Sequence, residues 1–230
     1  MDNFDSNYRH RLEALDTTCV SDALDKLGLR GSPNGLRPLF DAAKPIVGRA
    51  VTVKLVAAGV TKATRHACIT AIEVAKPGDI VVVDAGGRLD TNCWGGIVAT
   101  AAKLKGIGGV VADGACRDLD ECVAMQFPVY GRAPVVVTAR GRTIEEATNT
   151  TISVSGVQVR PGDIVMANRS GVVFIPQEYL DEALDLAEKI KEKEESMIRD
   201  LKAGMSIIEV DKKYGYEQML EKSSTGSAKA

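Results

Sequence analysis

The sequence predicts an α/β fold with a mixed sheet flanked by helices. Three observations carry that expectation. Two short runs, residues 80–83 and 109–112, are wholly apolar, as expected of strands buried on both faces, and each is followed by a helical pattern. Strand-like runs then dominate from residue 135 to 175, which breaks the strand–helix alternation of a purely parallel sheet. The longest amphipathic stretch, residues 177–203, comes last and supplies a helix to cover one face.

Taken in order, residues 7–16 and 20–27 read as two short helices; Thr17 or Thr18 can cap the second, and Gly28 ends it. Residues 47–56 are β-branched and alternate in class, hence a strand. Residues 64–75 fit a helix stopped by Lys76-Pro77-Gly78. The apolar strand 80–83 runs into a glycine-rich polar segment, 84–92, read as a loop. Residues 95–105 fit a helix with Ile97, Val98, Ala101 and Leu104 on one face; 109–112 is a strand and 119–125 a short helix. Residues 135–138, 152–154, 157–159, 164–166 and 172–175 complete the strands. The turn Lys76-Pro77-Gly78-Asp79 recurs as Arg160-Pro161-Gly162-Asp163, each time feeding an apolar strand. Proline presets such a turn and glycine supplies its positive φ. One domain is expected over residues 1–217, followed by a Ser-, Lys- and Gly-rich tail, 218–230, of disordered composition.

In the last helix the apolar stripe is Leu180, Ala183, Leu184, Ala187, Ile190, Met197, Ile198 and Leu201, and Glu194 falls near its centre. Either the helix has left the core there and Glu194 is solvated, or this acid has a partner.

The chain has 230 residues, 45% of them apolar and only 4% aromatic, so its core must be Val, Ile, Leu and Ala. With 29 basic residues against 31 acidic ones there is no overall electrostatic footprint for nucleic acid or an anionic membrane. Five cysteines, an odd number with no CxxC pair, read as reduced thiols rather than a disulfide framework. No apolar leader or membrane-length stretch is visible, and a cytoplasmic protein is expected.

The strongest candidate site is Asp113-Gly114-Ala115-Cys116-Arg117-Asp118-Leu119-Asp120-Glu121, where a buried strand gives way to a helix. Arg117 offers a cation for a carboxylate or keto oxygen, and Asp118 a hard oxygen ligand. The competing reading makes Asp118 the helix N-cap, with Glu121 closing a capping box, and the pattern favours it. A second candidate is the glycine-rich segment 84–88 with Trp94-Gly95-Gly96, whose amides can cradle an anion at a helix N-terminus. It matches neither a dinucleotide fingerprint nor a P-loop. His66 could face the site, and Cys116 flanks Arg117, either as a small packing residue or as a thiol of lowered pKa.

Several segments together resemble the 4-hydroxy-4-methyl-2-oxoglutarate aldolases and the homologous regulators of ribonuclease E activity. They are Ser21-Asp22-Ala23-Leu24, the turn at Lys76, residues 106–121 (GIGGVVADGACRDLDE), residues 171–176 (GVVFIP) and Lys193-Glu194. The resemblance implies a central β-sandwich flanked by helices, assembled as homotrimers or hexamers. It implies Mg²⁺ or Mn²⁺ held by Asp118 and, through a water, by Glu194 of a neighbouring subunit. It further implies pyruvate or another small 2-oxo acid bound by Arg117 and by amides of Gly95, Gly96, Ile97 and Val98. The implied activity is that of a carbon–carbon lyase working through a pyruvate enolate, either aldol cleavage or oxaloacetate decarboxylation.

The chain departs from that pattern in two places, one at Ala167-Asn168-Arg169-Ser170, where relatives often carry an Asp before the Gly-Val, and one nearer the site. The aldolases carry an acid twenty-one residues before the arginine, and here that position is Gly96. Aldol cleavage needs a base for the substrate hydroxyl whereas decarboxylation does not, so decarboxylation is expected to exceed aldol cleavage. Asp84, Asp90 and Asp113 are candidate replacements. Two other functions fit the sequence: a non-catalytic regulator docking on an endoribonuclease, and a related lyase or hydratase for another oxo acid.

Overall fold

A computed structural model describes residues 6–41 and 45–217; the expected disordered tail lies outside them. Helices α1 (Ser6–Glu13) and α2 (Thr17–Lys26) lead into strands β1 (Arg37–Pro38) and β2 (Ile46–Ala57). Then follow α3 (Ile69–Val74), β3 (Ile80–Trp94), α4 (Gly96–Leu104), β4 (Gly109–Cys116) and α5 (Leu119–Ala124). The strands β5 (Val129–Gly131), β6 (Ala133–Pro134), β7 (Thr143–Thr148), β8 (Ile152–Val154), β9 (Val157–Val159), β10 (Ile164–Asn168) and β11 (Gly171–Ile175) come next. A 3₁₀ turn (Gln177–Tyr179) opens α6 (Leu180–Lys202), and α7 (Ile207–Tyr214) closes the described chain.

Nine strands form one mixed sheet. Its main path runs β1-β5-β4-β3-β2-β10-β11, with β6 beside β4 and β7 beside β2, while β8 and β9 make a separate hairpin. The β2–β3, β3–β4 and β4–β5 pairs are parallel and the β2–β10 and β10–β11 pairs antiparallel. The expected sandwich takes the form of a curled sheet, nearly closed like a barrel. Strand alternation explains how wholly apolar strands are used. Val81 and Val83 of β3 face a cluster under α3, α4 and α5, whereas Ile80 and Val82 face an inner cluster shared with Tyr130, Val154, Val159, Val165 and Phe174. A third cluster joins Ile164 and Met166 to Leu12, Val20, Leu24 and Leu184 of α1, α2 and α6. Among the described residues no helix is long and apolar enough to cross a membrane.

The two Pro-Gly-Asp turns flank β2 on either side. Gly78 and Gly162 share φ values of 86° and 87°, and each aspartate accepts the amide of the residue three before it, Asp79 from Lys76 and Asp163 from Arg160. Several expectations need correction. The cap of α2 is Asp16, with Thr17 already helical. Residues 64–68 are not helical, because Cys68 adopts a left-handed conformation (φ 70°) that delays α3 to Ile69. The expected loop 84–92 belongs to β3, whose register against β4 shifts three times between Asp84 and Trp94. Residues 135–138 form no strand, and the polar β7 takes a place beside β2 instead. In α4 the buried side chains are Val98, Ala99 and Ala102; Ile97 and Leu104 point outward, 78% and 84% exposed.

Candidate active site

β3 and β4 run parallel and end together, Trp94 opposite Cys116. The chain leaves β3 through Gly95 into α4, and leaves β4 through Arg117 and Asp118 into α5. Both helix N-termini therefore open at the carboxyl ends of the strands, the edge where α/β sheets bind ligands.

Asp118 lies in the left-handed region, φ 56° and ψ 38°, and its side chain does not cap α5. The capping box favoured by the pattern does not form. The left-handed backbone turns the carboxylate toward α4 instead, where Oδ2 accepts the Gly96 amide at 2.9 Å and Arg117 Nε at 3.2 Å. Such a conformation costs a non-glycine residue about 1 kcal/mol or more, and strain of this kind collects at functional sites. Oδ1 of Asp118 accepts no hydrogen bond among the described residues, and the terminal nitrogens of Arg117 donate none. Both groups are held on one side and open on the other.

The glycines make room for this arrangement. A Cβ on Gly95 would stand 2.9 Å from Asp118 Oδ2 and 3.3 Å from Arg117 Cγ. Its φ of −157° is ordinary extended backbone, so space is what excludes a side chain. A Cβ on Gly96 would overlap Glu121 Oε2 and stand 2.8 Å from Glu121 Cδ. The Gly96 amide is already used by Asp118, which leaves the free amides of Ile97 and Val98 at the N-terminus of α4 for an anion.

A pocket of about 380 Å³ brings together Gly95, Gly96, Ile97, Val98, Arg117 and Asp118, all expected at the site. His66 lines it too, as do Asn92, Glu73 and Arg140, which the sequence did not single out. Asn92 is buried; its Oδ1 accepts the Ala139 amide and its Nδ2 donates to the Trp94 carbonyl at 3.3 Å. It thereby ties the Arg140 loop to the end of β3. The Arg140 guanidinium has no partner among the described residues. No pattern around residues 139–142 could have revealed it.

Glu194 is not among the residues of this pocket. It is half-buried where α6 packs on α2, its Oε2 accepting Cys19 Sγ at 3.4 Å. Burial, and then the Glu194 charge, raises the carboxyl pKa of neighbouring Asp22. A single chain thus separates Glu194 from Arg117 and Asp118. Among the described residues no three His, Cys, Asp or Glu side chains converge as a cation cage. Asp118, with one open oxygen, does fit a hard divalent ion that keeps most of its water and takes only one or two carboxylates.

The suggested substitute acids are committed elsewhere. Asp84, buried, pairs with Lys54 Nζ at 2.7 Å and accepts the amides of Gly86 and Ser153. Asp113, also buried, pairs with Arg132 and accepts the Ser155 amide at 2.8 Å. Together they anchor the β8–β9 hairpin. Asp90 is exposed and held by two hydrogen bonds from Arg88. Cys116 is fully buried, and its interaction with Cys93 and that burial hold its thiol well above the usual range, so it is a packing group and not a nucleophile.

A family model described as RraA-like, Aldolase/RraA, matches residues 17–174. A protein of Halalkalibacterium halodurans provisionally named 4-hydroxy-4-methyl-2-oxoglutarate aldolase is 34% identical over 82% of this chain and 86% of its own length. The crystal structure of an uncharacterized protein from Pseudomonas syringae superposes with a TM-score of 0.80 at 28% identity, covering 90% of this chain and 97% of that one. RraAS2 of Streptomyces coelicolor, described as an unusual member of the RNase ES inhibitor RraA family, does so with a TM-score of 0.75 at 26% identity, over 83% and 95%.

Proposed function

The chain belongs to the RraA-like family, and from that premise we propose that it is a divalent-metal-dependent lyase releasing pyruvate from small 2-oxo acids through an enolate. The observation that carries this reading is the pair at the end of β4: an arginine and an aspartate, each anchored on one side and open to the same pocket. Arg117 meets the keto oxygen and C1 carboxylate of the substrate, and the amides of Ile97 and Val98 take up the carboxylate. Positive charge fixed at that point favours the enolate over the neutral ground state. Mg²⁺ or Mn²⁺, held by Asp118 and through a water by the partner subunit's Glu194, supplies Lewis-acid polarisation when bound. Arg140 supports a second carboxylate on the substrate, as in oxaloacetate or 4-hydroxy-4-methyl-2-oxoglutarate.

Sharing a site between chains requires a homo-oligomer, a trimer or hexamer. The outward Ile97 and Leu104 beside the pocket and the outward Ile198 and Leu201 beyond Glu194 are apolar surface suited to such contacts. The test is pyruvate release from oxaloacetate and from 4-hydroxy-4-methyl-2-oxoglutarate, followed with and without EDTA. Activity should vanish on chelation and return with Mg²⁺ or Mn²⁺. Full activity after exhaustive chelation would defeat the metal role. Release of pyruvate from neither substrate would defeat the lyase reading and favour a regulator.

A further inference from the structure

Aldol cleavage of a 4-hydroxy-2-oxo acid needs a group that takes the hydroxyl proton, and the position to which the family resemblance assigns an acid is Gly96. The three aspartates that could have replaced it are occupied: Asp84 and Asp113 by cations and amides, Asp90 by Arg88. Another carboxylate stands in the vacated space. Glu121, one turn after Asp118 on α5, folds back over the start of α4 so that its Oε2 fills the position a Cβ on Gly96 would take. The same Cβ would lie 3.2 Å from Asp118 Cβ, which puts the Glu121 carboxylate beside the Asp118 side chain. Its carboxylate accepts no hydrogen bond among the described residues. It is therefore an exposed, open acid beside Gly96 and Asp118, both of which line the pocket, and it reaches from α5 the place that a side chain at 96 would reach from α4.

We propose, resting on the lyase reading above, that Glu121 is the base for aldol cleavage and that position 96 is glycine to admit it. The Glu121 carboxylate takes the proton of the C4 hydroxyl. The C4 oxygen becomes a carbonyl as the C3–C4 bond breaks, and the bonding pair remains on C3 as the pyruvate enolate beside Arg117. The proton then returns from Glu121 to C3, which gives pyruvate and restores the carboxylate. From 4-hydroxy-4-methyl-2-oxoglutarate both fragments are pyruvate, so atoms and charge balance with no co-reactant. This revises the sequence-based expectation: the base is relocated along the chain, and aldol cleavage need not be the weaker activity.

The readout is the ratio of aldol cleavage to oxaloacetate decarboxylation in the intact oligomer with Mg²⁺, because decarboxylation needs no hydroxyl base. A positioned base contributes about 10²–10⁴-fold, so Glu121→Gln should lower the ratio by about 10²-fold. Gly96→Ala leaves Glu121 in the sequence but displaces its carboxylate, and should lower the ratio in the same direction. The double variant Gly96→Asp with Glu121→Ala returns an acid to the same space and should exceed Glu121→Ala alone. Glu73→Gln, at a residue that lines the pocket, distinguishes the two glutamates. The proposal is overturned if Glu121→Gln leaves the ratio unchanged, if Glu73→Gln lowers it instead, or if the unmodified protein decarboxylates oxaloacetate without cleaving the aldol. That last result would leave the lyase reading standing; release of pyruvate from neither substrate would remove both.

Discussion

Asp113, within β4, and Asp118, just past its end, sit five residues apart, and they are used in opposite ways. Asp113 is buried and saturated: Arg132 pairs with one oxygen and the Ser155 amide with the other. Its neighbour across the strand, Asp84, is saturated in the same manner by Lys54, Gly86 and Ser153. Asp118 is partly exposed, has a strained backbone and keeps one oxygen open, and the Glu121 carboxylate one turn later accepts no hydrogen bond among the described residues. A buried carboxylate with both oxygens committed holds structure, since freeing it would leave charges unpaired. One that is anchored on a single side is placed for chemistry with something that arrives. The two regions together show how one strand end can carry both duties.

The comparison breaks first, if it is wrong, at Arg117. Arg117→Ala removes the open cation, and pyruvate release from both substrates should fall by about 10²–10³-fold, because both pass through the same enolate. Its melting temperature should move by no more than about 2 °C, the guanidinium being partly solvated. Equal loss of stability and activity would mean that the site and the scaffold are not separable here. Asp113→Ala is the opposite case. Breaking a buried pair costs about 3–5 kcal/mol, and since Arg132 keeps some access to water the lower figure applies. A drop in melting temperature of about 6–12 °C is expected, with turnover per folded molecule kept within a few-fold at lower temperature.

Complementation between subunits sharpens the account of Glu194. Asp118→Asn and Glu194→Gln should each be nearly inactive alone, whereas subunits dissociated and reassembled as a mixture should recover several-fold more activity than the two preparations summed. No recovery would place Glu194 outside the site. The smallest effect concerns the thiols. Burial drives Cys68 well above the usual range, and the Cys93 contact together with burial does the same for Cys116. Iodoacetamide at pH 8 should therefore leave both unlabelled in the native protein, as read by peptide mass spectrometry.

Much of the fold was legible because burial on two faces writes itself as unbroken apolar runs: β3 and β4 begin where Ile80 and Gly109 predict. What escaped was structure decided by the tertiary partner. Residues 84–92 read as a loop since Gly86, Gly87 and the charges lack strand character, yet β4 pairs with them across shifts of register. Helix α7 was signalled and overlooked: Ser206 and Glu209 form a capping box, and that spacing is visible in the sequence. The same signal misled at Asp118, where a left-handed backbone overrides it. The Arg117–Asp118 pair was legible from chemistry and position. The meeting of Gly96 with Glu121, twenty-five residues apart, and the arrival of Arg140 were not, because only the packing of α5 on α4 and the Asn92 tether bring them there.

The central claim is that the open carboxylate just past β4 does chemistry while the bound one within the strand holds structure, and Asp118→Asn tests it most directly. Asparagine tolerates the left-handed conformation as well as aspartate and is nearly the same shape, but it brings no charge to a cation. Thermal unfolding and Mg²⁺-dependent pyruvate release should be measured on the same preparation. The account predicts a melting temperature within about 2 °C of the unmodified protein and a fall in turnover of about 10²-fold or more. A protein that loses stability as Asp113→Ala does, while each folded molecule still turns over at the original rate, would contradict it.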